Sequence, residues 1–116
     1  MKHTSIIIIS SLILASCAAS QVAVIPGQPD VDRVSAKYPG YTLTDLSKGE
    51  ILYEKNCGNC HGLKKPASRD EAQWNHIVPE MVEKANKKAG KEIISAEDQE
   101  LIIKYLVTMS SAPKVK

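Results

Sequence analysis

The sequence predicts an all-α fold, a small bundle of three to four short helices. Ser and Thr capping signatures precede stretches whose apolar residues recur at helical spacing, and no run alternates apolar with polar residues as a strand does. The chain has 116 residues and few aromatic side chains, with one Trp, four Tyr and no Phe. Because so small a domain has little bulky apolar material, we expect a further group or covalent link to supplement its core.

The charge balance argues against one class of partner. The chain has 15 Lys and Arg residues and 13 Asp and Glu residues, which gives a formal net charge of +2, and no basic run carries interleaved aromatic residues. We therefore expect no nucleic-acid partner.

Residues 1–16 are predicted to be an export signal. Lys2 and His3 precede an apolar run from Ile6 to Ala15, which is shorter than the ~20 residues of a membrane-spanning helix but fits the apolar region of a signal peptide. The run ends in Leu-Ala-Ser-Cys at residues 14–17, which resembles the lipobox of bacterial lipoproteins. The resemblance implies lipidation at Cys17 and a place in the cell envelope, anchored to a bacterial membrane. The alternative is that Cys17 merely lies near an ordinary cleavage site.

Residues 17–40 are predicted to be a flexible linker, because Pro and Gly recur without a sustained helical or alternating period. The apolar stretch Val22–Ile25 is an exception that lies either on the domain or at the membrane surface. The folded domain is expected to span residues 41–116.

Three helical regions are predicted in that domain. The first is capped by Thr44 or Ser47 and runs to about Asn56. The second opens at residues 68–71 and is interrupted by Pro79, which gives two short helices or one bent helix, and Gly90 stops it. The last begins after Ser95 and runs to about Thr108.

The residues that point to chemistry form a C-x-x-C-H motif at Cys57, Cys60 and His61. This motif is the signature of covalent haem attachment, in which two thioethers hold the haem and the adjoining His binds its iron. A thiol-disulfide site, half of a zinc site and a structural disulfide are weaker alternatives, because the chain lacks a βαβ context and a second pair of Cys or His ligands.

From about Leu43 to Thr108 the chain resembles a class I c-type cytochrome with one haem c. Gly49 resembles the close-packing glycine of that family's first helix, which crosses an aromatic-bearing last helix, here with Tyr105. The resemblance implies that the carbonyl of Pro66 accepts the second N–H of the proximal ligand His61, which fixes the ring.

Three residues are candidates for the distal iron ligand, namely Met81, His76 and Met109. We favour Met81, because it lies between the haem motif and the last helix, as the distal methionine does in the family. A methionine on a helical stripe is also ordinary core filler. Trp74 is expected to line the haem pocket, with its indole N–H reaching a propionate, or simply to pack in the core.

The sequence thus predicts an electron carrier, and not an enzyme, that shuttles single electrons between a redox donor and acceptor as a monomer in the envelope. One alternative is a haem enzyme or gas sensor with an open sixth iron position. Another is a fixed cytochrome subunit of an envelope dehydrogenase or oxidase complex.

Overall fold

The fold is described by a computed structural model that covers residues 24–58 and 62–114. Four helices form one compact domain: α1 (Gln28–Arg33), α2 (Leu43–Cys57), α3 (Glu71–Ala89) and α4 (Ala96–Ser110). A 3₁₀ turn at Pro66–Ser68 lies between α2 and α3. No strand occurs within the described ranges, and the all-α prediction is confirmed.

Helix α2 begins earlier than predicted. Thr42 is its N-cap, and the Thr42 hydroxyl accepts the Asp45 N–H at 3.1 Å while the Asp45 carboxylate accepts the Thr42 N–H at 3.0 Å. The expected caps, Thr44 and Ser47, lie inside the helix. The reciprocal pair formed by Thr42 and Asp45 satisfies two N–H groups at once, which fixes the start of the helix.

Helix α3 is a single helix that continues through Pro79. Asp70 caps its start by accepting the Gln73 N–H at 2.8 Å, and Gly90 ends it in the left-handed conformation at φ 68°. A proline inside a helix removes a hydrogen bond and costs ~3 kcal/mol. Burial of Val78 and Val82 on the same helix offsets that cost, so the alternative of two short helices is wrong.

The connection from α3 to α4 is held by one side chain. The Asn86 amide oxygen accepts the N–H groups of Ile93 and Ile94 at 2.8 and 3.0 Å, and its amide nitrogen donates to the Ile94 carbonyl at 3.0 Å. Ser95 then caps α4 as predicted, accepting the Asp98 N–H at 3.1 Å.

Helices α2 and α4 cross in direct backbone contact at Gly49. A Cβ atom there would lie 2.4 Å from the Leu101 carbonyl oxygen and 2.8 Å from the Tyr105 Cβ. Only glycine permits this approach. The predicted close packing of Gly49 against the helix that carries Tyr105 is confirmed.

Helix α1 corrects the prediction of a flexible linker up to residue 40. Val31 and Val34 are buried, and the Arg33 guanidinium donates to the Thr108 carbonyl of α4 at 2.8 Å. Pro29 lies in the first turn, where its missing N–H costs nothing. A helix of six residues is too short to show a helical period in the sequence. The prolines and glycines of this region therefore predict a linker, although Pro29 begins a helix.

The residues before α1 do not share this burial. Val24 and Ile25 are exposed by 56% and 84%. Val24 and Ile25 therefore do not pack on the domain, which was one of the two placements expected for the stretch Val22–Ile25. Val22 and Ala23 lie outside the described residues.

Candidate functional site

The C-x-x-C-H motif begins at the last residue of α2. Cys57 ends the helix, and Gly58 follows with φ −78° and ψ −12°. Cys57 is half-buried and packs against the hydrophobic core. Cys60, His61 and the predicted lipidation residue Cys17 lie outside the described residues.

The segment that follows the motif is fastened to α2 by Tyr53. The Tyr53 hydroxyl donates to the Lys64 carbonyl at 2.7 Å and accepts the Lys64 N–H at 3.1 Å. The ring itself is 3% exposed, and burial is the main reason that the pKa of Tyr53 is raised. The hydroxyl thus keeps its proton and serves as donor and acceptor to one residue.

Trp74 of α3 bonds the same segment at Pro66, two residues after Lys64. Its indole N–H donates to the Pro66 carbonyl at 2.9 Å. The ring is 1% exposed and meets Tyr53 edge to face, with centroids 6.3 Å apart. Trp74 thus packs in the core, one of the two expectations for this residue, with its single indole proton directed at Pro66. The bond to a haem propionate stays a prediction. His61, the predicted donor to the Pro66 carbonyl, lies outside the described residues.

The three candidate distal ligands differ in their surroundings. Met109 is buried and belongs to the hydrophobic core. The His76 side chain is 78% exposed and its Nε2 lies 3.7 Å from Glu80 Oε1. Met81 is half-buried, and among the described residues it is not one of the side chains that pack against the core cluster.

Apolar and acidic groups surround the end of α2. Leu63 is 44% exposed and lies against Gly58, where a Cβ atom would be 3.4 Å from the Leu63 Cγ. About two turns before the end of the helix, burial, followed by repulsion from Glu54, raises the pKa of Glu50. Within the described part of the chain, no group of three or more His, Cys, Asp and Glu side chains is placed to hold a metal ion.

The hydroxyl of Tyr53 is the functional feature that sequence reasoning missed. No role for this hydroxyl follows from the capping and apolar spacing that predict the first helix. The signal available in the sequence was the choice of Tyr, which carries a hydroxyl, at a buried position four residues before Cys57.

No protein-family model, curated protein or solved structure matches this chain. Within the described residues, no helix is both long and apolar enough to cross a membrane.

Proposed function

We propose that this protein is a monohaem c-type cytochrome that transfers single electrons in the bacterial cell envelope. The observation that carries the proposal is the C-x-x-C-H motif, which starts at Cys57 on the terminal turn of a helix that crosses the last helix at Gly49. The proposal includes anchoring to the membrane through lipid on Cys17.

The described residues fit a covalently held haem. The Cys57 side chain packs on the core at the end of a helix, so a group bonded to it would lie against apolar side chains. Leu63, exposed beside Gly58, adds apolar surface next to that position. In this proposal Cys57 and Cys60 form the thioethers and His61 is the proximal ligand. When bound, the haem supplies one-electron oxidation and reduction at its iron.

The surroundings of the candidates favour Met81 as the distal ligand. Met109 packs in the hydrophobic core, and the His76 side chain is exposed to solvent beside Glu80. Met81 is half-buried and is not among the described residues of the core cluster, which makes it the preferred candidate of the three. A thioether opposite a histidine raises the reduction potential of the haem.

The first experiment is the visible spectrum of protein expressed with haem-attachment machinery. A c-type reduced spectrum with the weak far-red band of a methionine-ligated ferric haem is expected. A high-spin spectrum would favour the haem enzyme or gas sensor, and the absence of covalent haem would overturn the proposal. Stoichiometric co-purification with a partner would identify a fixed subunit in place of a free shuttle.

The choice of ligand is tested by two matched substitutions. Met81→Leu is expected to abolish the far-red band, because leucine fills similar space without a sulfur atom. Met109→Leu, made in the core, is expected to keep it. Loss of the band in Met109→Leu and its retention in Met81→Leu would show that the assignment is wrong.

A further inference from the structure

Ile25 is the most exposed of the large apolar side chains in the described part of the chain. It is 84% exposed, and its neighbour Val24 is 56% exposed. Single exposed apolar residues are common on protein surfaces and need no explanation. These two are adjacent, and they lie just before the point at which the domain begins to hold the chain in place.

That point is Gly27, the N-cap of α1. The Gly27 N–H donates to Asp30 Oδ2 at 3.0 Å, and the Gly27 carbonyl accepts the Asp30 N–H at 3.0 Å. Helix α1 is in turn attached to the C-terminal end of α4, where the Arg33 guanidinium donates to the Thr108 carbonyl at 2.8 Å. The chain therefore leaves the domain on its α1 side, and the exposed pair formed by Val24 and Ile25 lies at this exit.

The sequence around the exposed pair carries no charge. Residues 18–29 contain no Asp, Glu, Lys or Arg, so no charged group in this stretch opposes contact with lipid acyl chains. Cys17, the proposed site of lipidation, precedes Val24 by seven residues, and a fully extended chain of that length spans at most about 25 Å. A lipid on Cys17 would thus keep both side chains within reach of the surface that holds it.

We propose that Val24 and Ile25 form a second contact with the membrane, at the boundary between lipid headgroups and acyl chains. The inference rests on the lipid at Cys17 in the proposed function. Apolar side chains of a segment at this boundary gain free energy by leaving water. Because the lipid already holds the segment at the surface, the contact needs no separate association step. It holds the α1 side of the domain toward the bilayer.

The test measures how fast a thiol at residue 25 reacts with a charged, water-soluble maleimide. Ile25→Cys is prepared as the full-length protein with its haem and lipid, in vesicles of phosphatidylethanolamine and phosphatidylglycerol. The comparison is Cys17→Ser/Ile25→Cys, which has no lipid. The lipidated variant is expected to react about tenfold more slowly, since burial beside acyl chains raises the pKa of a thiol and a rise of one pH unit lowers the reactive thiolate about tenfold.

Two further positions serve as matched controls, each measured with and without the lipid. Gln28→Cys places the thiol three residues later, at an exposed position of α1. Ile93→Cys replaces an isoleucine that is 41% exposed just before the start of α4, whereas α1 contacts the other end of that helix. Both control thiols stay in water in this proposal, so their rates are expected to change by less than about twofold.

The wild-type chain is measured alongside, and its rate is subtracted from those of the variants. Its three cysteines all carry a covalent group in the proposed function, so it is expected not to react. Reaction of Cys57 or Cys60 would count against haem attachment, while the corrected rates would still decide this inference.

The remaining outcomes separate the membrane contact from the lipid anchor. Equal rates for Ile25→Cys with and without lipid would overturn the inference and leave the anchor in place. Equal slowing at residues 25 and 28 would also overturn it, since crowding near the surface would then explain the slowing. A wild-type chain whose mass shows no lipid on Cys17 would overturn the proposed anchor and this inference together.

Discussion

At the scale of single residues, Gly49 carries the contact on which the arrangement of α2 and α4 depends. Its Cα faces the Leu101 carbonyl and the Tyr105 side chain with no space for a methyl group. The obstructing atoms are backbone and Cβ atoms, which cannot move aside as the end of a flexible side chain can. Separation of the two helices is then the only relief, and it would disturb Tyr53 and Cys57 further along α2.

The substitution Gly49→Ala is therefore expected to destabilise the protein by about 3 kcal/mol, the upper end of the range for overpacking. Denaturant unfolding of the purified protein, followed by circular dichroism, measures the change in free energy. Gly27→Ala is the matched control, because a Cβ at Gly27 meets only the Pro29 ring at an ordinary 3.5 Å. Its cost is expected to stay below about 1 kcal/mol. Equal costs for the two alanines would contradict the close-contact explanation.

The residues of the candidate site were predictable to different degrees. The cysteine and histidine spacing is a local pattern, so the sequence suffices to propose it. The bonds from Tyr53 to Lys64 and from Trp74 to Pro66 join residues eleven and eight positions apart. Such bonds depend on how the loop packs between two helices. Helix propensity and the spacing of apolar residues contain no information about this packing.

At the scale of elements, the sequence predicted α2, α3 and α4 because each has a cap, an apolar stripe and, for α3, a glycine stop. It misplaced the start of α2, because Thr42, Thr44 and Ser47 are three possible N-caps within six residues, and Thr42, paired with Asp45, is the one the structure uses. The sequence did not decide whether α3 is one helix or two, because the free-energy cost of Pro79 inside the helix opposes the free-energy gain from burying Val78. Only the packed structure resolves that competition.

Helix α1 illustrates the opposite case, an element created by tertiary contact. Isolated six-residue helices are unstable in water, because the free-energy cost of nucleating a helix exceeds the gain from so few hydrogen bonds. Val31, Val34 and the Arg33 bond to the Thr108 carbonyl hold this one against α4. The folded domain therefore includes residues that the sequence predicts to be linker.

If α1 is part of the folded domain, its buried valine must contribute to global stability. Val31→Ala is expected to cost about 2 kcal/mol, from the lost burial of two methyl groups and the cavity they leave. Thermal and denaturant unfolding measure the effect. Val24→Ala, at an exposed position just before the helix, is expected to change the stability by less than about 0.5 kcal/mol. A neutral Val31→Ala would mean that residues 28–33 detach from the domain in solution.

At the scale of the whole molecule, all four tyrosines share one electrostatic property. Burial is the largest cause of a raised pKa at Tyr38, Tyr41, Tyr53 and Tyr105. Their unfolded counterparts ionise near pH 10. A group whose pKa is raised in the folded state contributes stability that is present below the unfolded pKa and is lost as the pH rises further.

Stability is therefore expected to fall progressively above about pH 10, because the unfolded chain releases phenolic protons that the folded chain retains. Denaturant unfolding at pH 8, 10 and 11 measures this loss, and Tyr105→Phe is expected to reduce it, since it removes one of the buried phenols. Phenolate absorbance that rises with an ordinary midpoint while helicity is unchanged would contradict the expectation.

The composition of the core connects the fold with the proposed haem. Within the described residues it contains three buried aromatic side chains and is otherwise built from aliphatic residues and one methionine, with five valines among them. A domain of this size with so little bulky apolar volume is marginal without additional support. In the proposed function, two thioethers and a large flat apolar group supply that support.

The double variant Cys57→Ala/Cys60→Ala is accordingly expected to lose most of its helical structure, because it cannot form the two proposed thioethers or hold the proposed haem. Far-ultraviolet circular dichroism and thermal unfolding of the full-length chain measure this. Cys17→Ala is the matched control. It removes the predicted lipid attachment but leaves the thiols of Cys57 and Cys60 in place, and it is expected to retain the helicity of the parent protein. Native-like helicity and cooperative melting in the double variant would show that the four helices are stable through their own packing.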